Sequence, residues 1–123
     1  MARLTEDAFE RRIARHLRDH HADALYGVSN DVLLRMVRAG VVRARSHSLS
    51  WESSIMTFVA LMFEVAPDFD EHPAIRSALR DAATVPDERL AVAVDRLAPH
   101  VWQEASSRAD LRAWFGPRAP DEP

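Results

Sequence analysis

The stretch SWESSIMTFVALMFEVAP, residues 50–67, constrains the fold more than any other part of the chain. Read at 100° per residue, Trp51, Ile55, Phe58 and Met62 share one face, Met56 and Phe63 share another, and Leu61 flanks them. Only a narrow stripe through Ser53, Thr57 and Glu64 is polar. A helix that is apolar on nearly every side must be covered on nearly every side. Residues 51–66 are therefore read as a central helix. Ser50 is placed as its N-cap, and Pro67 stops it through its clash with the preceding turn.

The rest of the chain supplies helices to cover it. No stretch shows sustained strand-like alternation, whereas helical spacing recurs between Pro, Ser, Asn and Asp punctuation. Phe9, Ile13 and Leu17 step by four and predict a first helix from a Thr5 N-cap to about Leu25, with Gly27 free to take a left-handed turn. A second helix follows Ser29 or Asn30 and runs to about Arg45. Its apolar arc is Val32, Leu33, Leu34, Met36, Val37 and Val41, and Asp31, Arg35, Arg38 and Arg45 lie opposite. Gly40 falls inside that arc. An interior Gly costs about 1 kcal/mol against Ala, so a close helix crossing is expected there.

Pro73 and Pro86 suit the first helical position of a fourth and a fifth helix. Ile75, Ala78, Leu79 and Ala82 face the core in the fourth. Leu90, Ala93, Val94 and Leu97 do so in the fifth, where Asp87 and Glu88 favour its own dipole. Residues 99–115 are helical in one piece or two, ended by Gly116-Pro117. The expected fold is all-α: a compact single-domain bundle of five or six helices over residues 1–116, with a disordered tail at 117–123.

Composition narrows the chemistry. The chain has 123 residues, enough for one domain with a real core, and no Cys, which excludes disulfides, thiolate metal sites and a cysteine nucleophile. Residues 1–45 carry nine Arg against six acids, a net +3, and residues 46–123 carry seven Arg against thirteen acids, a net −6. That balance is not the strongly basic one of a free-standing nucleic-acid binder. The charged start MARLTEDAFERR has no signal-peptide core, and the run at 55–63 is far shorter than the roughly 18 residues of a membrane span. A soluble, cytoplasmic protein is expected.

Five places could carry chemistry or a contact. PDFDEHP, residues 67–73, holds Asp68, Asp70, Glu71 and His72. Its Asp-x-Asp start suggests a calcium loop, but Pro73 and Leu79 stand where that loop needs Gly and Glu. It reads better as a helix boundary, with Phe69 turned inward and Asp70 or His72 capping the next helix. His16 and His20 have the i, i+4 spacing of a chelating pair, with His21, Asp19 and Asp23 nearby. HLRDH lacks the metalloprotease Glu, Arg15 and Arg18 oppose a cation, and a pair without a third ligand reads as a solvated face. Arg11, Arg15 and Arg18 form a ridge interleaved with Glu6, Asp7, Glu10 and Asp19, which predicts i, i+4 pairing. Arg35, Arg38 and Arg45 form a second ridge able to meet an acidic partner. Trp102, Trp114 and Phe115 are the aromatic candidates for a protein contact. SHSLSWESS lacks the strand–turn–helix setting of a serine nucleophile, no phosphate loop is present, and no cofactor is expected.

SHSLSWE leading into a helix, then FVALMF, then PDFDEHP, preceded by LLRMVRAGVVRARS, resembles a family of small helical bacterial proteins that accompany type VI secretion spike and effector genes. The resemblance spans roughly residues 10–98. Ala66 stands where the family usually has Gly, and a Tyr or Phe is usual near His47. The shared residues are helix-boundary and core positions, so no catalytic residue is carried over. The resemblance implies a non-enzymatic accessory that binds a secreted effector, toxin or spike protein as adaptor or chaperone. A toxin immunity protein, a helix-turn-helix-like DNA-binding regulator built on YGVSN and the second helix, and more remotely a metal-dependent enzyme are the alternatives.

Overall fold

The computed structural model describes residues 2–115, with side chains described over 6–114. The chain is all-α. Its order is α1 (Ala2–His20), α2 (Asn30–Arg45), α3 (Glu52–Glu64), α4 (Pro73–Leu79), α5 (Pro86–Arg96) and α6 (Pro99–Ser107). Three 3-10 turns intervene, at Ala22–Leu25, Phe69–Glu71 and Leu111–Phe115, and no strand occurs among the described residues. The expected termination at Gly116-Pro117 and the tail at 117–123 lie outside these residues.

α3 packs on α1, α2 and α5. It buries Ile55, Phe58, Val59 and Met62, while Ser53, Thr57 and Glu64 remain exposed as their polar stripe requires. α2 lays Leu33, Val37, Gly40, Val41 and Ala44 against it. A Cβ on Gly40 would stand 3.0 Å from Val59 Cγ2 and 3.3 Å from Met62 Sδ, so the missing side chain is what lets the two helices approach. Phe9, Ile13 and Leu17 of α1 are buried at the expected four-residue steps.

Several boundaries differ from expectation, each for a local reason. α1 begins at Ala2, so Thr5 lies within the helix, and it ends at His20 because His21 leaves helical dihedrals (φ −135°, ψ 36°). Leu25 still reaches the core, from the 3-10 turn, and Gly27 takes the left-handed conformation at φ 78°. α4 stops at Leu79, leaving Ala82 exposed beyond it. Trp51 is not a core residue: it precedes α3 in extended backbone and is 49% exposed. Val94 is likewise exposed, on the outer edge of α5's apolar arc. The C-terminal 3-10 turn rests on α2.

Candidate functional site

The PDFDEHP loop is built as a helix boundary, and each of its polar side chains is engaged within the chain. Pro67 is buried after α3 ends, and Phe69 is fully buried with its ring 4.8 Å from that of Phe58. His72 Nδ1 accepts the Ala74 N–H as the N-cap of α4, whose first residue is Pro73. Its other nitrogen, Nε2, meets Glu104 Oε1 of α6 at 2.8 Å. Asp68 accepts the Asp110 N–H, which ties the loop to the C-terminal segment.

Asp70 does not cap α4. It is buried and takes Arg43 of α2 on both oxygens at 3.0 Å, with His47 Nε2 at 2.6 Å, while Arg43 also reaches Glu71 at 2.8 Å. Burial pushes the Asp70 carboxyl up, but the bonds from His47 and Arg43 outweigh it and hold the carboxyl below its usual range. This arrangement fixes the α2–α3 connection to the α3–α4 connection. The Asp70 carboxylate is closed off by Arg43 and His47, while that of Glu71 stays exposed.

A second buried carboxylate lies on the helix the sequence assigns it to but bonds the start of another. Asp87 sits in the first turn of α5, yet it accepts the backbone N–H groups of Ser50 and Trp51 at 2.8 and 2.7 Å and the hydroxyls of Ser50 and Ser54. Ser50 is therefore not the N-cap of α3. It donates to Asp87, and Trp51 occupies the cap position without a side-chain bond. Burial raises the Asp87 pKa, but the four donors, Ser54 first among them, bring it down to about 2.

The second arginine ridge is also engaged. Arg38 bonds Glu10 at 2.8 Å and Asp7 at 3.0 Å, and Arg45 bonds Glu6 at 3.0 Å, so the acids of α1 neutralise α2 across the helix pair. The i, i+4 pairing expected within α1 is seen at Arg11–Asp7, 3.4 Å. Arg18 instead bonds the Val28 carbonyl and Asn30. Arg35 is exposed on the outer face of α2.

The aromatic candidates separate. Trp114 is 7% exposed, and its ring lies 4.4 Å from that of Phe63, so it is core. Trp102 is half-buried, 6.2 Å from the Phe69 ring. The Phe115 side chain lies outside the described residues. Among the described aromatics, Tyr26 stands exposed in the turn before α2, and the other that faces solvent is Trp51. It borders a groove between α3 and α5 with Ser53, Thr57, Glu88 and Ala91. Sequence periodicity missed it because residue 51 falls in phase with Ile55 and Phe58 although the helix starts one residue later.

Among the described residues, no group of three or more His, Asp or Glu side chains could hold a metal ion. No described helix is long and apolar enough to cross a membrane. No protein family, curated protein or solved structure matches the chain.

Proposed function

We propose that the chain is a non-enzymatic, protein-binding accessory of a bacterial secretion system. It acts in the cytoplasm as adaptor or chaperone for a secreted effector or spike protein. The observation that carries the binding surface is Trp51, a half-exposed indole on the rim of the α3–α5 groove. Trp is enriched among the residues that dominate interfaces. Secretion as the setting rests on the resemblance at residues 46–73.

Co-expression with the products of adjacent effector and spike genes, followed by purification and calorimetry, tests the proposal. A stoichiometric complex is expected, weakened by about 2 kcal/mol or more in Trp51→Ala, as hot-spot truncations are. Failure to retain either product, with retention of a specific DNA fragment instead, would replace this reading with the regulator. Equal affinity of wild type and Trp51→Ala would remove the groove as the interface. Inhibition of a toxin's catalysis by the purified chain would make it an immunity protein.

A further inference from the structure

The groove bordered by Trp51 has a charge as well as a shape. Among the described residues that line it are two carboxylates, Asp87 and Glu88, and no basic side chain. Asp87 is buried, and its hydrogen bonds all come from neutral donors: the N–H groups of Ser50 and Trp51 and the hydroxyls of Ser50 and Ser54. Those two N–H groups, at the mouth of α3, are the ones that would otherwise draw an anion. The Glu88 carboxylate is exposed and makes no hydrogen bond or ion pair among the described residues. The basic residues closest to hand are committed elsewhere. Arg89 donates to the carbonyls of Thr84 and Leu79, and Arg12 pairs with Glu52 at 2.5 Å.

We propose that this groove receives an arginine side chain of the protein partner, its guanidinium stacked on the Trp51 ring and paired with the Glu88 carboxylate, which rests on the groove being the docking surface. The face of an indole attracts a cation more strongly than that of any other aromatic side chain. A guanidinium is planar and weakly hydrated, so it lies flat on the ring while its edge donates to a carboxylate. A lysine ammonium is a compact, strongly hydrated charge and cannot do both as well. Size points the same way. The groove holds about 220 Å³, which suits one long side chain and is less than the roughly 300–1,000 Å³ of pockets that enclose small-molecule ligands.

The test is an NMR titration of the isotope-labelled full chain with N-acetyl-arginine amide and with its neutral isostere, N-acetyl-citrulline amide, at constant ionic strength. The Trp51 indole N–H is identified by its loss in Trp51→Phe. At equal concentration it should move about threefold further with the arginine compound, the ratio that an exposed cation–π contact gives. Glu88→Gln should remove most of that difference while leaving the circular dichroism unchanged. The buried Trp114 indole should stay in place with both compounds. Equal movement with the two compounds, or a difference that survives Glu88→Gln in full, overturns the arginine assignment. The titration needs no secretion partner, so it separates two failures. Arginine selectivity without any effector or spike complex upholds the groove chemistry and removes the adaptor reading. A complex weakened by Trp51→Ala, without arginine selectivity, keeps the docking surface and removes its guanidinium guest.

Discussion

Gly40 of α2 and Val59 of α3 meet where two helix backbones approach, and a Cβ on residue 40 would stand 3.0 Å from one Val59 methyl and 3.3 Å from the other. Two effects of Gly40→Ala oppose each other. Ala gains about 1 kcal/mol of helix propensity over Gly. Against this, Val59 is fully buried and β-branched, with essentially one side-chain rotamer in a helix, so it cannot swing aside. The clash should win, with a net loss of about 1–2 kcal/mol in urea melts, in the range of core overpacking. In a Val59→Ala background the same change should become neutral or stabilising. A double-mutant cycle without that reversal would place the helices farther apart than they are here.

Asp87 should govern acid stability. Its folded pKa, about 2, is below the unfolded value of 3.8. A depressed carboxylate stabilises above the unfolded pKa and loses that stabilisation as pH falls through the folded one. The loss therefore falls between about pH 4 and pH 2 and amounts to about 2 kcal/mol. Asp87→Asn should lower stability at pH 7 and flatten the profile across that window. An unchanged slope in the variant would show that other groups carry the acid transition.

Arg43 and Asp70 are coupled in burial. Arg43→Ala leaves the Asp70 carboxylate with His47 alone and should cost about 2–4 kcal/mol, as breaking buried pairs does. Arg43→Met with Asp70→Asn should cost less than the two single losses added. Additive losses in denaturant melts would mean that the contact contributes no pairwise energy.

Trp114 and Trp51 should behave oppositely. Trp114→Ala removes a buried ring against Phe63 and should cost about 3–5 kcal/mol of stability. Trp51→Ala should shift stability by less than about 1 kcal/mol, as exposed substitutions do. Thermal melts of the pair decide this before any partner is in hand. Near-equal melting temperatures would reverse the assignment of core and surface.

The features legible in the sequence are those set by local sterics. Pro67 and Pro73 bound their helices, Ser29 caps α2 through the Val32 N–H, Gly27 takes φ 78°, and Gly40 marks a crossing. What was illegible depends on residues far apart in the chain. Nothing near Asp70 announces Arg43, and nothing near Asp87 announces Ser50, because an acid in a helix's first turn already has a local explanation. Arg38 and Arg45 read as a free ridge for the same reason: their acids lie on another helix, 28 to 39 residues away. Trp114 and Trp51 were exchanged because period alone does not tell which of two aromatic positions another helix covers.

The reach of Asp87 has a consequence for synthesis. It is 36 residues downstream of Trp51, a separation that a ribosome adding about 5–20 residues per second takes about 2–7 s to cover. During that interval α3 is itself being added, and the N–H groups of Ser50 and Trp51 have no carboxylate to meet. The most apolar helix of the chain is thus emitted with its entrance unfastened, and it is secured by a residue translated after it. Substitutions at Asp87 should accordingly show in the yield of nascent chain that escapes aggregation before they show in the architecture of the finished protein.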